Sequence, residues 1–170
     1  MTTSDGLVVR DSVDAERAAI DAFLHAHNTD VVARLGELVD ARTHPRLVAI
    51  ADGKLAGVLT YVPGNGSVEA LTVHAADRWR GAGTALLEAL VRRAAETGWR
   101  RIWLITTNDN VDALRFYQRR GFRLVAVHAG AVDASRASRK PSIPAIGAYG
   151  IPMHDELELE LLVAEHEQTP

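Results

Sequence analysis

Residues 78–87 read RWRGAGTALL and place Gly81 and Gly83 where an apolar helical run begins. Glycine costs a helix about 1 kcal/mol relative to alanine, so two of them at a helix entry call for a reason other than propensity. The first amides of a helix have no carbonyl partner inside it, and the aligned peptide dipoles add about half a positive charge there. An anion is therefore welcome at that end. Lacking Cβ atoms, Gly81 and Gly83 leave those amides open to a diphosphate, and the Thr84 hydroxyl stands at the same height. The plain alternative is a glycine turn that lets a helix pack closely on a strand.

Working upstream, RLVAIADGKLAGVLTYVPGNGSVEALTV reads as three strands in an antiparallel meander, turning at Asp52-Gly53 and at Pro63 to Gly66. Downstream, a helix from about 81 to 97 closes on Gly98, a residue suited to a left-handed cap. RRIWLITT follows as a strand too apolar to be exposed on both faces. NVDALRFYQRRGF is a second helix closing on Gly121, and RLVAVHA a further strand. This alternation predicts an α/β fold: a mixed, mainly antiparallel sheet of about six or seven strands with helices on both faces.

The ends are read from period. LVVRD is strand-like, and residues 12–27 carry helical spacing behind a Ser12 or Asp14 cap. DVVARLGELVDARTHP fits either state, since Val31 and Val32 favour a strand while Leu35, Leu38 and Val39 line a helix equally well. Residues 129–152 hold three prolines, three glycines and no sustained period, giving a long loop with one helical turn at 131–138 and a candidate binding segment. DELELELLV alternates strictly, with Glu156, Glu158 and Glu160 on a face expected to be solvated, or else to attract a cationic amine. As an exposed acidic strand it is expected at a sheet edge or a dimer seam. Arg136, Arg139 and Lys140 are expected to be solvent-exposed or to form a lid over an acidic group of a substrate.

Composition narrows the class. The 170 residues, 47% apolar and 24% charged, describe a single globular domain over 1–170. No apolar run approaches the ~20 residues that span a bilayer, and MTTSDGLVVRD lacks a secretory leader, so a cytoplasmic address is expected. The absence of cysteine excludes a disulfide, a thiolate nucleophile and a thiolate zinc site. A net charge of −3 gives no overall attraction to nucleic acid. His25 and His27, two apart on a helix, diverge, and no metal is expected.

The nucleotide-triphosphate loop needs a Lys-Ser or Lys-Thr pair that GAGTALL lacks, and the dinucleotide fingerprint needs a small residue where Leu86 stands. Arg-x-x-Gly-x-Gly at Arg78 to Gly83, after a strand and opening a helix, instead resembles the pyrophosphate loop of the GNAT superfamily of acyl-coenzyme A-dependent N-acyltransferases. A second block strengthens this: Asn110, Ala113, Tyr117, Gly121 and Phe122 match the family's Asn-x-x-Ala…Tyr…Gly-Phe segment. The likeness covers roughly residues 45–128.

The resemblance implies acetyl-coenzyme A as co-substrate and direct acetyl transfer to an amine in a ternary complex. It implies a cofactor slot between the strand ending near Val73 and the strand Ile102 to Thr106. Backbone groups around Leu71 and Val73 would bond the pantetheine arm, with Asn110 and Ala113 also at the cofactor. Arg78, Arg80, Gly81, Ala82, Gly83 and Thr84 would surround the phosphates. Tyr117 would protonate the departing thiolate, apt because that leaving group has a pKa of about 8.5 and a phenol one of about 10; its plain reading is a core aromatic. Glu69, on the strand before the loop, would deprotonate the amine directly or through water, with His74 as the alternative, against the plain reading of a solvated strand carboxylate. A catalytically silent acyl-coenzyme A sensor and a general phosphate-ligand enzyme remain open, as does a homodimer.

Overall fold

The computed structural model describes residues 6–76 and 81–164. In chain order the elements are β1 (Val8–Asp11), α1 (Arg17–Ala26), β2 (Val31–Arg34), β3 (Glu37–Asp40), β4 (Arg46–Ala51), β5 (Lys54–Pro63), β6 (Ser67–Ala75), α2 (Ala82–Thr97), β7 (Arg101–Thr107), α3 (Val111–Gln118), β8 (Arg123–His128), α4 (Ala131–Ser138) and β9 (Glu156–Leu162). Seven strands form one mainly antiparallel sheet in the order β1-β4-β5-β6-β7-β9-β8, and β2 and β3 form a separate hairpin. The mixed α/β class and strand number match the expectation. The chain forms two compact units, the described parts of Met1–Asp30, Asp40–Ile102 and Val163–Pro170 in one, Val31–Val39 and Trp103–Leu162 in the other.

In the first unit, β1, β4, β5 and β6 pair antiparallel in turn. Asp52 (φ 52°) and Gly53 (φ 71°) both take left-handed conformations at the β4–β5 turn, which matches the twist of the strands they join. The two helices take opposite faces of β5. A Cβ on Gly57 would come within 3.0 Å of Leu86 of α2, whereas Arg46, the cross-strand neighbour of Thr60, reaches Asp21 of α1 at 3.1 Å. Positions 57 and 60 of one strand point to opposite faces. Leu86, Leu90 and Ala94 are completely buried along α2, which ends on Gly98 at φ 83° as expected.

The first helix departs from expectation at its start. A short 3-10 turn over Asp14–Glu16 precedes α1, and Val13 stands at the cap instead of Ser12 or Asp14. The Glu16 carboxylate reaches back to the Val13 amide at 3.0 Å and is held by Arg10, which lowers its pKa to about 2.

In the second unit the ambiguous stretch 31–40 is a β-hairpin, closed by Leu35 (φ 50°) and Gly36 (φ 76°). The Leu35 amide donates to the Glu156 carboxylate at 2.8 Å. This corrects the solvated-face reading of the glutamate row: Glu156 is 2% exposed, and Glu158 is bonded to His128 at 3.0 Å. Nor is β9 an edge, because it lies between β7 and β8. The edge is β8, with Leu124, Val125 and Val127 exposed and a register shift that leaves Val125 without a cross-strand partner on β9.

Candidate active site

Helix α2 starts with Gly81 at φ 76°, ψ 2°, a left-handed cap. Among the described residues nothing lies within 4 Å of a Cβ placed there, so the glycine is required by the backbone conformation. The first bond of the helix runs from the Ala85 amide to the Gly81 carbonyl at 2.9 Å. The amides of Ala82 and Gly83 therefore lie upstream of the helical ladder, at its positive end. Ala82 is buried, while Gly83 and Thr84 are partly accessible. Arg78 and Arg80 lie outside the described residues.

Strand β6 leads into this helix. Its pairing with β5 changes register between Thr60 and Tyr61, where Thr60 opposes Thr72 and Tyr61 opposes Ala70. Leu71 is therefore an extra residue, a β-bulge that turns its backbone groups out of the regular ladder. Val73 returns to register opposite Leu59. Glu69 is 2% exposed, which corrects the reading of a solvated strand carboxylate: an ionisable group is rarely placed so deep for surface solvation. His74 is partly accessible and its ring lies 4.8 Å from that of His27.

In the second unit, Asn110 caps α3, its side chain accepting the Ala113 amide at 3.2 Å. These two predicted cofactor residues thus partner each other at the helix start. Tyr117, 8% exposed, lies between the rings of Phe116 (5.1 Å, edge-on) and Phe122 (5.4 Å). Burial pushes its hydroxyl pKa upward, against a smaller lowering by the charge of Arg120. A phenol is protonated at neutral pH with or without burial, the state an acid needs, and the upward shift makes this one a weaker proton donor.

The segment after α4 is more ordered than its composition indicates. Helix α4 runs through Ala131–Ser138, the residues expected to be helical, and makes about two turns there. Arg136 donates to the carbonyls of Ile143, Pro144 and Met153 at 2.8–3.0 Å, and Lys140 Nζ donates to the Val31 carbonyl at 2.8 Å. Arg136 and Lys140 tie the backbone together, which corrects their reading as a solvated cluster or substrate lid; Arg139 is exposed. The Asn108 side chain accepts the amides of His154 and Asp155. Asp109 accepts the Ala148 amide at 2.8 Å, and Tyr149 donates to Asp112 at 2.7 Å. The loop is thus fastened to the entry of the helix that carries Tyr117. Of Asn108, Asp109 and Asn110 only one can cap, so the run itself signals other duties.

A Cβ on Gly147 would fall onto the Asp109 carboxylate and within 2.7 Å of Met153. Gly147→Ala is expected to lower stability by about 1–3 kcal/mol, read from the urea midpoint, and to expose residues 141–152 to limited proteolysis.

Among the described residues no group of three or more His, Asp or Glu side chains is placed to hold a metal ion, and no helix is long and apolar enough to cross a membrane. Residues 13–122 match the model of the acetyltransferase (GNAT) family. Over 114 residues the chain is 40% identical to YxbD of Bacillus subtilis, covering 67% of this chain and 69% of that one. It is 33% identical over 126 residues to the streptothricin acetyltransferase of Streptomyces lavendulae, covering 71% and 65%. The aligned part thus spans about two thirds of these relatives' length. A GNAT acetyltransferase of Elizabethkingia anophelis, solved with acetyl-coenzyme A bound, shares the fold at TM-score 0.66 and 17% identity over 94% of this chain and 99% of that one. On the family match and the shared fold together, the chain belongs to the GNAT acetyltransferase family.

Proposed function

We propose that the protein transfers an acetyl group from acetyl-coenzyme A to an amine by direct attack in a ternary complex. The observation that carries this reading is the left-handed Gly81 start of α2, set directly after the bulged strand β6. The residues present suit the cofactor: the amides of Ala82 and Gly83 at the positive end of α2, with Thr84, would donate to a diphosphate, and Arg78 and Arg80 would supply charge for phosphate. Leu71 and Val73 offer backbone groups to the pantetheine arm, and Asn110 and Ala113 lie at the cofactor as well as at the helix cap. Acetyl-coenzyme A supplies an activated thioester carbonyl.

An amine reaches the site largely as ammonium. Glu69 takes one proton from it, so that the nitrogen lone pair attacks the carbonyl carbon; the carbon–sulfur bond then breaks as Tyr117 gives its proton to sulfur, and the second proton on the former amine nitrogen passes to the Tyr117 oxygen, leaving an amide, a free thiol and one proton on Glu69. The cysteine-free sequence leaves no thiol for a cysteine-linked acetyl intermediate. The streptothricin acetyltransferase relative supports including streptothricin among the candidate acceptors.

Thiol release from acetyl-coenzyme A, measured over a panel of polyamines, streptothricin, aminoglycosides and peptide amino termini, tests the reading. Amine-dependent release with an acetylated product by mass spectrometry is expected. Thermal stabilisation by acetyl-coenzyme A with no release on any amine points instead to a silent sensor.

A further inference from the structure

The turn at 148–151 carries a residue that its backbone does not favour. The Ile151 amide donates to the Ala148 carbonyl at 3.0 Å, and the two residues between them, Tyr149 (φ 57°, ψ 21°) and Gly150 (φ 72°), are both left-handed. That is a type I′ turn, whose first central position prefers Asn, Asp or Gly. A bulky aromatic residue there costs free energy that asparagine avoids. The Gly147 amide donates to the Ile151 carbonyl at 2.8 Å and Ile146 pairs with Pro152, so the turn is the tip of a small, well-closed hairpin.

Burial does not offset this cost, because Tyr149 is 71% exposed. Its hydroxyl donates to Asp112 Oδ2 at 2.7 Å, and Asp112 lies in the first turn of α3, where its other oxygen accepts from Arg115 at 3.4 Å. Asp109, just ahead of that turn, accepts the Ala148 amide. The residue is thus fastened at both ends, by its hydroxyl and by the amide before it, to the start of the helix that carries Asn110, Ala113 and Tyr117 in the same unit. An aromatic ring that is exposed, fixed in place and unfavourable for its own turn is the mark of a ligand contact.

Electrostatics selects the charge of that ligand. The face of a tyrosine ring is negative, and a phenol that donates to a carboxylate is polarised to be richer in electrons still. Such a face attracts a cation and disfavours the phosphates of coenzyme A. Resting on the acetyl-transfer reading above, we propose that Tyr149 binds a second cationic group of the acceptor, seated over its ring while the reacting amine is at the thioester. Asp112 precedes Tyr117 on α3 by five residues, about 7.5 Å of helix rise, a reach that a short diamine spans. The acceptors favoured are accordingly amines with more than one cationic group, and the ring sets their affinity without touching the reacting atoms.

The test compares wild type with Tyr149→Asn, Tyr149→Leu and Tyr149→Phe on two probes, cadaverine and the amino alcohol of the same chain length, which lacks the second cation. KM and kcat are read by thiol release, the Kd of coenzyme A and of cadaverine on the coenzyme A-loaded protein by isothermal titration, and folding by melting temperature. Wild type is expected to favour cadaverine. Tyr149→Asn is expected to raise the KM and Kd for cadaverine about threefold to tenfold, the range a cation over an aromatic face supplies. Its kcat, its KM for the amino alcohol and its coenzyme A affinity are expected to stay within twofold, and its melting temperature to be unchanged or higher, since asparagine suits the turn. Leucine, which keeps bulk without a π-face, is expected to weaken cadaverine equally and covers an asparagine variant that misfolds. Phenylalanine, which keeps the face, is expected to retain most of the affinity. Equal KM for the two probes in wild type overturns the proposal, as do an unchanged cadaverine KM in the leucine and asparagine variants, a KM rise shared by the amino alcohol, or a loss that phenylalanine fails to restore. A weakened coenzyme A Kd assigns the ring to the cofactor and overturns it too. Wild type that releases no thiol with any amine is a separate failure, that of the acetyl-transfer reading; the cadaverine Kd then still decides this site, supporting it where Kd rises on loss of the ring and overturning it where cadaverine fails to bind or Kd is unchanged.

Discussion

Gly83→Asp is expected to raise the Kd for acetyl-coenzyme A by well over tenfold, each tenfold being about 1.4 kcal/mol, while the protein stays folded. The two halves of this expectation have one cause. The N-terminal end of α2 is positive, so an aspartate in its first turn is favourable for the helix itself, by about 0.3–1 kcal/mol. That carboxylate occupies the amides a diphosphate would use and repels its charge. A variant with unchanged or raised melting temperature and weakened binding by isothermal titration is the expected pair. Unchanged affinity in the folded variant removes the α2 end as the phosphate seat.

Tyr117→Phe is expected to reduce kcat by about tenfold to a hundredfold, the lower part of what a positioned acid contributes, because a thiolate is already a competent leaving group. Phenylalanine keeps the contacts with Phe116 and Phe122, so cofactor affinity should stay within twofold. Unchanged kcat passes the acid role to water. The same variant has a stability signature. Burial raises the hydroxyl pKa above its unfolded value, so the stability linked to this proton is fully present below a pH of about 10 and is lost as pH climbs above it. Wild type should therefore lose stability relative to Tyr117→Phe on raising pH past that point.

Local chemistry made much of this legible. Gly98 and Gly121 end helices because left-handed caps favour glycine, and both are observed at positive φ. The β6 bulge also left a trace: Val68 and Ala70 keep one alternation, Leu71 and Val73 continue it one residue out of phase, and the slip falls at the bulge. What stayed hidden depends on distant partners. The Leu35-Gly36 turn puts a leucine at positive φ, against local preference, with its amide held by Glu156 far along the chain. Alternation at 156–160 gives two faces but not what covers the second. Likewise the hydroxyls at 60 and 72 look like ordinary strand threonines until pairing sets them opposite each other.

The outermost strand β8 offers aliphatic side chains and a free border, a combination that ordinarily invites stacking of like chains into fibrils. Its surplus residue at Val125 interrupts the hydrogen-bonding ladder midway, so a strand arriving from another molecule finds only a short run to zip along. Deleting Val125 would make that ladder continuous and is expected to raise self-association at high protein concentration, read by light scattering.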